Sequence, residues 1–457
     1  MVKRGFMLEK IFKLKENNTK VSKEIIAGLT TFMAMSYVIF VIPSILSQTG
    51  MDYNSVYGAT IIASALGTLF LGLFANVPYA QSAGIGLASL VTYTICGTLG
   101  YTWQQALAMI FICSIINLII TLTSIRKKII KAIPEFLQEA ITVGIGLFIA
   151  YIGLTNAGLI GFSASEVTNG IAKDVVPHLS TFSDASIILA IIGLLFTSVL
   201  VIKKVKGAYL IGIVTTTIVG IPMGVTAIPD FSNYTIIPNI SETFLKMDFA
   251  GIFNNQSMIL VVVMTIFTLC ISDLFDTIGV FIGTGKKAGI FKVNKNGDMP
   301  KKLEKAIFAD AVGTFFASIL GTSNVTTYIE SSSGIEAGGR TGLTSLCTAL
   351  CFILSLLFAP LIKCVPMAAV APVLVLVGAS MLENIGNIDF KNYVTAIPAF
   401  FVIIMMPLGY SITTGIEFGF LAYAMACLVS NKRKEVSPMI YIFSCLFILK
   451  YIFEALS

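Results

Sequence analysis

The chain has 457 residues, of which 56% are hydrophobic and 12% charged, with a net charge of +6. Together with a mean hydropathy of +0.90, this excludes an ordinary soluble domain and implies a chain that crosses the bilayer many times. The positive charge sits in short runs between apolar segments, so it reads as membrane topology rather than as a nucleic-acid surface.

About 20 apolar residues are needed to cross roughly 30 Å of hydrocarbon as a helix. In chain order the predicted spans are 25–46, 55–76, 79–97, 102–125, 134–156, 184–202, 207–228, 256–284, 303–320, 323–337, 342–363, 366–383, 393–409 and 411–430, fourteen in all. Basic residues test this count. They crowd the first 24 residues and follow the fourth span (Arg126 to Lys131), the sixth (Lys203 to Lys206), the eighth (Lys286 to Lys305) and the fourteenth (Lys432 to Lys434). Arg340 and Lys391 follow the tenth and twelfth spans; Lys363 is the lone exception. All but the last fall on one side, which makes segment 1–24 cytoplasmic by the positive-inside rule. The stretches 157–183 and 229–255 read as longer loops on the other side. The tail from Pro438 reads either as an interfacial helix or as a further span, and both stay open.

No cleavable signal peptide is evident, because the first 24 residues are basic and polar. The eight cysteines lack metal-like clustering, so neither metal nor disulfide is implied. The single histidine, His178, is expected to be a solvated loop residue.

A weak internal repeat is visible. TTFMAMSY from Thr30 resembles TIFTLCIS from Thr265, and SAGIGLAS from Ser82 resembles SSSGIEAG from Ser331. Two homologous halves of seven spans each would lie in opposite orientations. The third and tenth segments are rich in Gly, Ser and Thr, which suits extended backbone and half-helices lining a cavity, or else close helix packing by small residues. For the third segment the two readings stand level; in the tenth, Glu330 favours a site.

Ionisable residues at membrane depth cost about 2.5–3.5 kcal/mol on insertion scales and usually mark an ion or substrate path. Asp273 and Asp276, three apart in ISDLFDTIG, fall on one helix face. Repulsion between them in a low dielectric suits proton exchange. Asp310 is a fourth acid at depth, readable as an auxiliary of that network or as a structural hydrogen-bonding partner.

EIIAGLTTFMAMSYVIFVIPSIL, DLFDTIG, ADAVGTFFASILGTSNVTTYIESSSGIEAGGRTGL and AIPAFFVIIMMPLGYSI resemble the xanthine/uracil permease superfamily, in its adenine/guanine/hypoxanthine permease branch. The resemblance covers essentially the whole chain, and Gly321 to Leu343 is its most specific part. It implies an all-α polytopic fold of two inverted seven-span repeats, with short strands and half-helices in segments 3 and 10. It implies core parts at 25–125 and 256–363 and gate parts at 134–228 and 366–457. It also implies a proton-driven purine permease of the plasma membrane, not an enzyme, whose partners are a purine base, protons and the bilayer. No cofactor beyond the proton gradient and no nucleic acid are implied; a homodimer is compatible with it. On that pattern Asp276 and Glu330 hold the base, with Ala88, Phe275 and Ser331 beside it, while Asp273 and Asp310 serve proton coupling. Phe32, Phe275 and Tyr328 are candidates for stacking on the base.

Two positions depart from the family pattern. Ala88 stands where the third segment usually has Asn, and Ile42 where an Asn commonly precedes the proline of the first span. Losing an amide from a site built on hydrogen bonds changes selectivity, and Ser89 points about 100° away on a helix. Carriage of another nucleobase or of a small anion on the same fold is therefore the alternative.

Overall fold

The computed structural model describes residues 9–123, 133–168, 171–228, 238–253, 259–287, 290–291, 301–358, 361, 364–430 and 437–456. Each of the fourteen expected segments has a counterpart. Segment 1 is broken into α1 (Val21–Met35) and α2 (Val38–Leu46), and segment 2 is α3 (Tyr53–Phe70). Segment 3 is strand β1 (Gln81–Ala83) followed by the half-helix α4 (Ile85–Ser89), which continues as a wider turn to Thr98. Then come α5 (Trp103–Leu122), α6 (Glu135–Asn156), α7 (Ala185–Ile202) and α8 (Ala208–Gly220) as segments 4 to 7. The second half repeats the order. It comprises α9 (Ile259–Lys287), α10 (Lys301–Leu320), strand β4 (Val325–Thr327) with half-helix α11 (Ser331–Glu336), α12 (Gly342–Ser355), α13 (Met367–Met381), α14 (Tyr393–Leu408) and α15 (Ile412–Val429). Among the described residues eight helices are long and apolar enough to cross a membrane.

Small polar residues start these helices. Asp52 accepts from Ser55 N at the head of α3, Thr102 and Gln105 form a capping box on α5, and Ser411 caps α15, each satisfying an amide that the helix itself leaves unpaired.

The packing is symmetric under exchange of each segment for the one seven places on. α10 packs on α5 as α12 packs on α3; α9 packs on α5 as α1 packs on α12; α14 packs on α6 as α13 packs on α7. This is the signature of an inverted repeat. The register differs from the one read in the sequence: Ile85 and Ser331 both begin half-helices, so the Ser82 and Ser331 runs are offset by about one helical turn. A clearer match joins ASALGTLF from Ala63 to ADAVGTFF from Ala309.

The loop expected at 157–183 instead forms an antiparallel hairpin, β2 (Ile160–Thr168) and β3 (Ile171–Leu179), paired from Ile160↔Leu179 to Thr168↔Ile171. The sequence between the strands, Asn169-Gly170, is the dipeptide that two-residue hairpins favour. His178 is an exposed strand residue rather than a loop residue. The tail is helix α16 (Pro438–Leu456), packed along α15 and against α9. Its Phe443 ring stacks on Phe267 with centroids 3.8 Å apart, and Tyr451 donates to Glu417 Oε2 at 2.5 Å.

Candidate functional site

Extended backbone at membrane depth survives only when its peptide groups find protein partners. β1 and β4 provide them for each other, paired antiparallel as Gln81↔Thr327, Ser82↔Thr326 and Ala83↔Val325. The ladder is lengthened by Gly84 N donating to Asn324 O at 2.9 Å and Tyr328 N to Ala80 O at 3.0 Å. Because the strands are antiparallel, α4 and α11 leave the crossing in opposite directions. Threonines of the flanking helices complete it: Thr68 of α3 bonds both the amide and the carbonyl of Gln81, and Thr314 of α10 donates to Val325 O at 2.9 Å. The preceding residues, Gly67 and Gly313, admit the crossing. A Cβ on Gly67 would lie 2.8 Å from Gln81 Oε1.

Four carboxylates surround this crossing. Glu330 occupies the position before α11, half-buried, and its Oε1 accepts from the Tyr37 hydroxyl at 2.5 Å. Asp276 of α9, also half-buried, accepts from Thr326 Oγ1 of β4 at 3.3 Å. The two are near neighbours, and Tyr328 lies near both, its own hydroxyl donating to Ala83 O at 2.5 Å. Asp310 is buried and fastens three elements: it accepts from Gln81 Nε2 (3.0 Å), Thr327 Oγ1 (2.9 Å) and Thr277 Oγ1 (2.7 Å). Asp273, one turn before Asp276, turns to a different neighbour. Its Oδ2 accepts from Asn117 Nδ2 of α5 at 2.7 Å, and its Oδ1 has no partner among the described residues.

The remaining predicted site residues are scaffold-like in this conformation. Ser331 is fully buried and its hydroxyl accepts from Ala80 N at 3.0 Å. Ala88 and Ile42 are fully buried, and the buried Ser89 hydroxyl has no partner among the described residues. Phe32 packs edge-on against Phe352. The side chain of Phe275 lies outside the described residues. The sequence reading missed Tyr37, Gln81, Asn117 and Thr326. Asn117 and Gln81 carried a usable signal, since an amide inside an apolar span needs a partner there.

A half-buried pair of acids beside a strand crossing, inside an inverted-repeat helical bundle, defines a membrane transport protein. Residues 22–418 match the sequence profile Xan_ur_permease, described as "Permease family", and the chain belongs to that family. It is 36% identical over 451 residues to the guanine/hypoxanthine permease PbuO of Bacillus subtilis, covering 96% of this chain and 99% of that one. It is likewise 36% identical over 450 residues to the adenine permease AdeP of Escherichia coli, covering 98% and 96%. Among solved structures, the transmembrane domain of the cyanobacterial bicarbonate transporter BicA has a similar fold, with a TM-score of 0.61 at 14% identity over 84% of this chain and 96% of that one.

Proposed function

We propose that this permease carries a purine nucleobase across the plasma membrane together with protons, by alternating access, with its N-terminus in the cytoplasm. The observation that carries the reading is the pair Asp276 and Glu330, both half-buried, one bonded to Thr326 of β4 and the other at the head of α11, each keeping acceptor positions beyond its side-chain partner. A purine offers ring N–H and exocyclic amino donors, which a carboxylate can accept at two points. The names of the relatives support the same substrate class. Two adjacent acids repel an anion, so the fold shared with a bicarbonate transporter does not extend to its cargo.

On this reading the molecule has two moving parts. Segments 1–4 and 8–11 form the core, and segments 5–7 and 12–14 form the gate. Asp273 is the better of the two candidate proton carriers. Its Oδ1 is unpaired, whereas Asp310 receives three donors and has little room for a proton.

The test is uptake of radiolabelled adenine, guanine, hypoxanthine, xanthine and uracil in cells lacking their own nucleobase permeases, with and without a proton uncoupler. Uncoupler-sensitive purine uptake that Glu330→Gln abolishes, with the variant still in the membrane, is the expected result. Absence of uptake of every base by well-expressed protein would sink the reading and leave Ala88 and Ile42 as marks of another substrate.

A further inference from the structure

Glu330 can hold a base at two points only if its carboxylate is held in one plane. Its own helix does not do this, because its side chain makes no capping bond to α11, and a free glutamate samples several rotamers. The constraint comes from another segment. Tyr37, 1% exposed, sits in the break between α1 and α2 and donates to Glu330 Oε1 at 2.5 Å. A buried phenol needs a hydrogen-bond partner, and here that partner is the carboxylate. A carboxylate has about four acceptor positions, so the Tyr37 hydroxyl, with the backbone amide of Glu330 itself, orients it and leaves the rest for a ligand. Neighbouring donors are engaged elsewhere: the Tyr328 hydroxyl on Ala83 O, and Thr326 Oγ1 on Asp276.

The Tyr37 ring is itself held by the other part of the molecule. It packs edge-on against Tyr209 at the start of α8, with centroids 5.1 Å apart and planes at 69°. Segment 1 lies in the proposed core and α8 in the proposed gate, so the ring contact crosses the division between them.

We propose that Tyr37 is a positioning residue for transport: its hydroxyl orients the Glu330 carboxylate for two-point contact with the purine, and its contact with Tyr209 makes that orientation depend on where the gate stands. The inference rests on the reading that Glu330 binds the base. Movement of α8 against segment 1 shifts the Tyr209 ring along Tyr37 and with it the only side chain seen to hold Glu330 Oε1 among the described residues.

Tyr37→Phe removes the donor and keeps the ring. Uptake kinetics of the purine that the wild type carries are compared across pH, with the variant's membrane level and the thermal stability of the purified protein measured alongside. The expected result is a KM raised by about tenfold, the effect of losing one charge-assisted hydrogen bond, with kcat within about threefold of wild type. The KM–pH profile should also be displaced, because the lost donor served a titratable group. An unchanged KM and pH profile in a variant that is present and folded would overturn the role of Tyr37 while leaving the function intact. So would a parallel fall of kcat and thermal stability at constant KM, which is what a merely structural tyrosine gives. A wild type that takes up no purine would overturn the functional reading, and this inference with it.

Discussion

Replacing Asp310 by Asn separates a carboxylate that fastens the strand crossing from one that carries a proton. Asp310 receives donors from Gln81, Thr327 and Thr277, and so ties β1, β4 and α9 together. A hydrogen bond to a charged group contributes about 1.5–3 kcal/mol and one to a neutral group about 0.5–1.5. Losing the charge from three bonds therefore costs about 3 kcal/mol in all. Asn also presents an amino group to one of the three donors, and only a hydroxyl can turn to accept it. Domains of 150–250 residues lose about 2–4 °C of Tm per kcal/mol, and a chain of this size loses less, so a fall of about 3–6 °C is expected. The assay is thermal unfolding of detergent-purified protein, paired with counterflow exchange of substrate in proteoliposomes, which needs no proton gradient. Asp310→Asn should lower Tm and reduce uptake and counterflow together. Asp273→Asn should instead keep Tm close to wild type and keep counterflow while losing gradient-driven uptake. An Asp310→Asn protein with wild-type Tm and counterflow but no gradient-driven uptake would refute the assignment, and Asp310 would then be the proton carrier.

Glu24 is fully buried and accepts from the amides of Arg340, Thr341 and Thr344 and from the Thr344 hydroxyl at the head of α12; Glu24→Ala should destabilise the purified protein by about 2–4 kcal/mol, with Glu24→Gln costing less, as read by thermal unfolding. Gly67→Val would drive side-chain atoms into Gln81 and Val325; overpacking of this kind costs about 1–3 kcal/mol, and uptake should be lost even where membrane levels are kept. Phe443→Ala removes the ring stacked on Phe267; both rings are half-buried, so the loss should be about 1–2 kcal/mol, which a Tm shift in detergent would register.

The fourteen segments were legible because hydrophobic length and basic loops report membrane crossing directly. The half-helices of segments 3 and 10 were legible in outline, since runs such as GTSNVTTYIESSSG cannot sit in lipid as ordinary helix. Their register was not. The repeat is carried by the packing positions of α3 and α10, Gly67-Thr68 and Gly313-Thr314, whereas the polar runs that drew the eye have diverged: Gly84 precedes α4 where Glu330 precedes α11. The hairpin at 160–179 was hidden because its strands are short of strict alternation, although the sequence Asn169-Gly170 is a hairpin signal. Tyr37 could not have been found from sequence. A tyrosine in an apolar span is ordinary, and only the fold brings it to a carboxylate 293 positions away.

The surroundings of Asp273 bear on the proposed coupling of proton and substrate. Asp273 and Asn117 are 2% exposed and Asn324 is fully buried, and each has a side-chain oxygen without a partner among the described residues. The amide nitrogens of Asn117 and Asn324 both lie against Cys113 Sγ, at 3.8 and 3.5 Å. Acceptors therefore outnumber donors in a region where each unmet polar group costs about 1–3 kcal/mol. A proton on Asp273 adds a donor to the cluster without adding an atom, so the protonated form relieves what the ionised form leaves unmet. Asn324 lies two residues before Thr326, which holds Asp276, and residues two apart along extended chain share a face. On the proposed mechanism, a base at Asp276 acts on Thr326 of β4, while a proton at Asp273 acts through Asn117 and Cys113 on Asn324, the residue just before that strand. Whatever shifts that strand for one ligand shifts it for the other, which is the physical content of symport.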